Sequence, residues 1–202
     1  MFRIGITSNI KEYYSGYIDF IDHYWLNYFE KRNIYYCLIP NKTKLSVKLL
    51  DKVDLLIIPG GNNVSNILKT SRMRNTIENK LIDICLKKDI PILGVCRGAE
   101  LINKKFGGKI SKIKNHMRTR HNIFFTQNNI VKKQILNVNS FHNYGIKKKN
   151  LSKKFNTLAN DKDKNIEMFI SKNKKIIGTM WHPEREKNKI LLDKLINYLK
   201  SL

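Results

Sequence analysis

The sequence predicts a three-layer α/β fold with one mostly parallel sheet, because short, near-continuous apolar runs alternate with stretches of helical period through its first half. Strands buried on both faces carry no polar alternation, and the helices between them supply the two covering layers. From Asn122 onward the pattern changes: apolar runs follow one another with little helix between them, which predicts added antiparallel strands. No internal repeat and no Pro/Gly/Ser-rich linker divides the 202 residues, so 1–202 is expected to form a single domain.

Taken in order, Phe2 to Thr7 reads as the first strand. Asp19 to Lys31 follows as an amphipathic helix with Phe20, Tyr24 and Phe29 among its apolar positions. Ile34 to Ile39 and Val53 to Ile58 are the second and third strands. Arg72 to Lys88 places Ile77, Leu81, Ile82 and Cys85 at helical spacing. Ile90 to Val95 is the fourth strand and Gly98 to Phe106 the helix after it. Asn122 to Thr126, Ile166 to Ile170 and Lys175 to Trp181 are the later strands, and Ile190 to Leu199 closes as a helix.

Composition narrows the function classes. A hydrophobic content of 42% with 10% aromatics is that of a chain able to bury a core. No run of about 18 apolar residues codes a membrane span, and the first residues read into a strand rather than a signal peptide. Three widely spaced cysteines, Cys37, Cys85 and Cys96, argue against a disulfide framework and for a reducing, cytoplasmic setting. The net charge of +23 could serve nucleic-acid binding. However, Lys is spread over almost every segment beside Asn and Ile, the pattern of a low-GC codon bias acting on a solvated surface. The sharpest runs, Lys147 to Lys149 and Lys172 to Lys175, lack aromatic interleaving and read as loops, so no nucleic-acid partner is expected. An anionic small-molecule substrate steered by the field is the functional alternative.

The most informative segment is Gly94-Val95-Cys96-Arg97-Gly98, a Gly-x-Cys-x-Gly turn between a strand and a helix. That is the geometry of a nucleophile elbow, in which a tight turn lifts the side chain above the sheet. Flanking glycines leave room for neighbouring elements. A thiol at a helix N-terminus is favoured as the reactive thiolate. An isolated cysteine is as readily a small core residue, which is how Cys85, on a helix face, and Cys37, inside a strand, are read.

A thiol nucleophile needs a base, and the base an orienting group. Among the five histidines, His23 lies on a helix and His116 and His121 fall in a loop region. His142 stands in Val138-Asn139-Ser140-Phe141-His142. His182, in Trp181-His182-Pro183-Glu184, directly follows an apolar strand. Two residues apart in extended chain, His182 and Glu184 would point the same way, an imidazole prearranged with a carboxylate. The Arg97 N–H, after the nucleophile, and the paired Gly60 and Gly61 of Pro59-Gly60-Gly61 could supply an oxyanion hole, although Pro-Gly-Gly is also an ordinary turn.

These signals together resemble the class I glutamine amidotransferase superfamily, in particular its free-standing γ-glutamyl hydrolase branch. Gly94 to Asn103, ending in Phe106-Gly107-Gly108, looks like that branch's nucleophile helix. Asn139, Ser140, Phe141 and His142 are similar to its substrate-contacting loop, and Trp181 to Glu184 to its His-Pro-Glu element. The resemblance implies a flavodoxin-like core, thiol catalysis without metal or cofactor, and a γ-glutamyl thioester. The family pattern has Gln four residues after the nucleophile, where it helps hold the α-amino and α-carboxyl end of the glutamyl group; here the residue is Glu100. With no synthetase domain attached, the resemblance points to the stand-alone hydrolase branch, with a glutaminase subunit supplying ammonia to a separate synthetase, or a hydrolase of another γ-glutamyl amine, as the alternatives. Within the branch, small size and Lys/Asn/Ile bias are similar to members that release a nucleotide amidate in capsule phosphoramidate synthesis.

Overall fold

The computed structural model of the chain describes residues 1–65, 67–126, 130–131, 134–172 and 175–202. Its first half runs β1 (Arg3–Thr7), β2 (Asn9–Tyr13), β3 (Gly16–Phe20), α1 (His23–Lys31), β4 (Tyr35–Ile39), α2 (Thr43–Leu50), β5 (Leu55–Ile58), α3 (Lys69–Lys88), β6 (Ile92–Val95) and α4 (Arg97–Lys105). The second half adds β7 (Ser111–Lys112), β8 (Met117–Phe125), β9 (Ile135–Phe141), β10 (Tyr144–Lys147), β11 (Phe155–Asn160), β12 (Asn165–Ser171), β13 (Ile176–Thr179) and α5 (Ile190–Lys200).

Five parallel strands in the order β4–β1–β5–β6–β13 form the sheet centre, and β12, β11, β8 and β9 extend it by antiparallel pairing. The all-apolar central strands are buried on both faces, as their unbroken hydrophobic runs require. Successive residues point to opposite sides. Ile4, Ile6, Leu55, Ile57, Leu93 and Val95 pack on one side with Trp25, Tyr28 and Phe29 of α1 and Leu192, Leu195 and Leu199 of α5. Leu56, Ile58 and Ile92 pack on the other with Leu50 of α2, Leu81 and Ile82 of α3, and Ile102 of α4. The structure is therefore the expected three-layer α/β fold with a mixed sheet.

Several local expectations are corrected, and one helix was not foreseen. The helix expected from Asp19 begins only at His23, because Gly16–Phe20 pairs with Asn9–Tyr13 as a separate two-stranded hairpin. The Asp22 carboxylate caps the new start, accepting from the Tyr24 N–H at 3.0 Å. Its buried face is Trp25, Tyr28 and Phe29, whereas Phe20 and Tyr24 are exposed. His121, expected in a loop, lies inside β8, since that strand starts before its apolar portion. Helix α2, with only Ser46 and Leu50 buried, gave too narrow an apolar stripe to be seen. Of the Lys147–Lys149 run, Lys147 ends β10 and a 3₁₀ turn follows over Lys148–Asn150. The Lys172–Lys175 run lies partly outside the described residues.

Candidate active site

Strand β6 delivers Cys96 into the first turn of α4. Its backbone sits at φ 51°, ψ −108°, a conformation that non-glycine residues rarely adopt. Such strain costs about 1–3 kcal/mol and persists only where the surroundings enforce it. Here they do: the Cys96 N–H donates to the Thr179 carbonyl of β13 at 2.7 Å, and its own carbonyl accepts from the Glu100 N–H at 3.1 Å. The glycines are steric necessities. A Cβ on Gly98 would stand 1.9 Å from the Ile58 carbonyl oxygen, and one on Gly94 would stand 2.5 Å from Ile102 Cδ1.

β13 pairs directly with β6, so the turn leaving β13 brings His182 beside the elbow. The imidazole Nδ1 lies 2.6 Å from Glu184 Oε1, and the ring lines the same cavity as Cys96. The sequence foresaw this pair but not its geometry: Pro183–Arg185 is a 3₁₀ turn, not extended chain, with Pro183 opening it. Burial alone would push the His182 pKa down. The Glu184 carboxylate, with the neighbouring Cys96 side chain, outweighs burial and holds it up to about 10.

A cavity of about 390 Å³ opens over these groups, lined among others by Gly61, Cys96, Glu100, Phe141, His142 and His182. A larger cavity of about 710 Å³ lies behind the same turn, against Trp181, Pro183 and Glu186, but Cys96 does not reach it. Cys96 and His182 both line the smaller one.

The remaining sequence-selected residues divide. Gly60 packs under the His182 ring, where a Cβ would stand 2.5 Å from Cε1, and Gly61 adopts φ +100° at the cavity wall. Arg97 opens α4, with its N–H in the first helical turn. Burial drives the Glu100 carboxyl up to about 7, against the opposing pull of Arg97 and Lys104. Asn139 and Ser140 are not on the cavity wall. The Asn139 amide donates to the His182 carbonyl at 2.8 Å and accepts from the His182 N–H at 3.0 Å, fixing the turn. Ser140 donates to the His116 carbonyl. Cys85 is buried and its thiol pKa pushed up to about 12, so it stays a core residue.

Sequence reasoning missed the buried ion network beneath the elbow. Glu78 of α3 receives Thr7 Oγ1 at 2.7 Å, Arg74 at 2.8 Å, and the Arg97 guanidinium, which also reaches Asn75. Arg74 further donates to the Pro59 and Gly60 carbonyls. One network thus fixes both the elbow residue Arg97 and the glycine turn opposite. Its one trace in sequence is the i, i+4 spacing of Arg74 and Glu78.

With this geometry in hand, comparison with known proteins is decisive on family. The peptidase C26 family model matches residues 4–184. The chain belongs to that family. A relative from Campylobacter jejuni, γ-glutamyl-CDP-amidate hydrolase, is 39% identical over 138 residues, covering 66% of this chain and 64% of that protein. A glutamine amidotransferase-like protein of Lactococcus lactis, so named provisionally, is 31% identical over 71% of each chain. The match spans half of a Schizosaccharomyces pombe relative and just under two thirds of the Campylobacter one. A Thermoplasma acidophilum structure, provisionally assigned as one chain of a GMP synthase, superposes with TM-score 0.79 over the whole chain and 95% of its own. At 23% identity it speaks to fold alone.

Proposed function

We propose that this single-domain peptidase C26 member is a thiol hydrolase of γ-glutamyl amide bonds, with Cys96 as nucleophile, His182 as acid and base, and Glu184 orienting the imidazole. The observation that carries the reading is the strained Cys96 sharing a cavity wall with His182, whose Nδ1 is held by Glu184 at 2.6 Å. The Cys96 thiolate attacks the γ-carbonyl, with the N–H groups of Arg97, Gly60 and Gly61 facing the developing oxyanion. As the C–N bond breaks, His182 gives its proton to the leaving nitrogen. Water then attacks the thioester, passing a proton to His182 while the thiolate departs, and glutamate is released. No cofactor enters these steps. Glu100, Phe141 and His142 line the acyl site, and Asn139 and Ser140 hold its frame.

For the leaving group we propose a nucleotide amidate, with γ-glutamyl-CDP-amidate the specific substrate and capsule phosphoramidate synthesis the setting. The Campylobacter relative's name and the +23 charge, suited to an anionic leaving group, support it. The reading includes a reducing cytoplasm, where the three cysteines stay unpaired, as here. No helix among the described residues is long and apolar enough to cross a membrane.

Glutamate release from γ-glutamyl-CDP-amidate, γ-glutamyl amines and glutamine tests both levels. Release from the nucleotide amidate, abolished in Cys96→Ala with unchanged circular dichroism, is the expected outcome. Equal release in Cys96→Ala removes the mechanism. Preference for glutamine, stimulated by an added synthetase, would instead identify an ammonia-supplying glutaminase, the arrangement suggested by a Methanococcus aeolicus relative named as a glutamine-hydrolysing GMP synthase chain.

A further inference from the structure

A second cluster of buried titratable groups lies behind the cavity, where the antiparallel extension loses its pairing. β11 meets β8 only at Phe124 and Phe125, so the earlier part of β8 stands apart from it. On the facing strand β12, the register with β11 runs from Met168 to Ile166 and leaves Glu167 as the extra residue of a bulge. Bulges re-aim side chains. Into this space point His116, just before β8, His121 of β8 and Glu167 of β12, their ligand-type atoms all within 4.8 Å of one another.

Their hydrogen bonding is incomplete in a directed way. His116 Nδ1 lies 2.7 Å from the Lys114 carbonyl, which can only accept, so Nδ1 carries a hydrogen; Nε2 has no hydrogen bond of good geometry among the described residues and, on the neutral ring, presents its lone pair. That Nε2 faces two carboxylates, Asp161 Oδ2 at 3.0 Å and Glu167 Oε1 at 3.6 Å. His121 Nε2 faces the same Glu167 oxygen at 3.5 Å. Glu167 is fully buried, and among the described residues neither of its oxygens accepts a hydrogen bond of good geometry; nor does either ring nitrogen of His121 make one, its Nε2 standing 3.5 Å from Glu167. Lone pairs and carboxylates converging in a dry space require a cation between them. A proton on His116 answers the contact with Asp161 and leaves Glu167 and His121 unsatisfied.

We propose that His116, His121 and Glu167 bind a transition-metal dication of the zinc class, with Asp161 as the flanking carboxylate on His116. Two imidazoles and a carboxylate form a donor set typical of zinc. Ligand atoms about 2.0–2.1 Å from a tetrahedral ion stand about 3.3–3.4 Å from each other, close to the 3.5 and 3.6 Å separations here. The carbonyl holding His116 Nδ1–H is the usual outer partner of a ligating imidazole. Asp161 is itself braced by the Asn165 side chain at 2.7 Å. The ion is structural: it ties β8 to β12 where no strand pairing does, and takes no part in the thiol chemistry. The His116 ring lies 5.1 Å from that of His142, so the site braces the cavity's far wall. The inference does not depend on the proposed substrate.

The test is metal content of the untagged full-length protein, equilibrated with zinc and desalted, in wild type, Cys96→Ala, His121→Gln and Glu167→Gln. Expected is about one zinc per chain in wild type and in Cys96→Ala, with about tenfold weaker retention or worse in the other two. Cobalt replacing zinc in Cys96→Ala should give the visible d–d bands of a tetrahedral nitrogen/oxygen site without thiolate charge transfer. That readout needs neither ligand variant to fold. Wild type that retains no zinc, or zinc that leaves with Cys96→Ala and persists in Glu167→Gln, overturns the proposal and leaves a proton as the shared cation.

Discussion

Two buried ionic clusters flank the same cavity, and they are built to opposite standards. Beneath the elbow, Glu78 is surrounded: Thr7, Arg74 and Arg97 all donate to it, and Arg74 donates further to Asn9, Asn62, Pro59 and Gly60. The two guanidiniums and their bonds overcome burial and hold its pKa below the usual carboxylate range. Behind His142, Glu167 is as deeply buried yet accepts no hydrogen bond of good geometry from the described residues, and burial pushes its pKa up. A buried charge is tolerable when its field is answered locally. In the first cluster the chain itself answers the carboxylate, and the network holds the elbow residue Arg97. The second is left for something the chain does not encode.

The sharpest way to break this contrast is at Glu78. Glu78→Ala leaves Arg74 and Arg97 buried without a counter-charge, which should cost about 3–5 kcal/mol of unfolding free energy. Denaturant titration measures it. A loss as small as that of a surface carboxylate would mean the network is not what holds the elbow. Glutamate release should fall along with stability, because Arg74 carries the strain to Gly60 and Arg97 carries it to Cys96.

The contrast also separates what the sequence made legible from what it hid. The parallel centre was readable because strands covered on both faces must be continuously apolar, as Leu55–Ile58 and Ile92–Val95 are. The turn at Cys96 and the contact between His182 and Glu184 were readable because a Gly-x-Cys-x-Gly turn and a two-residue His–Glu spacing fix local geometry. The hairpin β2–β3 was not, since its exposed face gives no burial pattern to find. Nor were the partners of Glu78, which come from three separate elements. His116, His121 and Glu167 lie apart in sequence and meet through a bulge that no periodicity announces.

Glu100 stands between the two clusters in character, and pH sharpens where it belongs. Burial raises its folded-state pKa to about 7, above the ordinary 4.5, despite Arg97 and Lys104. Its protonated form is therefore the one the fold favours. The stability it contributes is complete below pH 4.5 and is lost as pH rises through 7. Glu100→Gln should then stabilise the protein by on the order of 1–3 kcal/mol at pH 8 and change little at pH 4. Thermal unfolding at the two pH values decides it. Equal effects at both would show that its carboxylate is answered as fully as that of Glu78.

The smallest expected change is the most discriminating. In chelating buffer, Glu167→Gln removes a carboxylate that accepts no hydrogen bond of good geometry from the described residues and replaces it with an isosteric amide. Nothing satisfied is broken, so unfolding free energy should stay within about 1 kcal/mol of wild type or rise. With zinc present, wild type alone should gain, by about 2.7 kcal/mol once free zinc reaches roughly a hundred times its dissociation constant. The same chemical change, loss of one buried carboxylate, would thus cost several kcal/mol at position 78 and almost nothing at 167 until metal is supplied. Should Glu167→Gln cost as much as Glu78→Ala in the absence of metal, the second cluster would be a self-sufficient ion network like the first, closed by imidazolium protons.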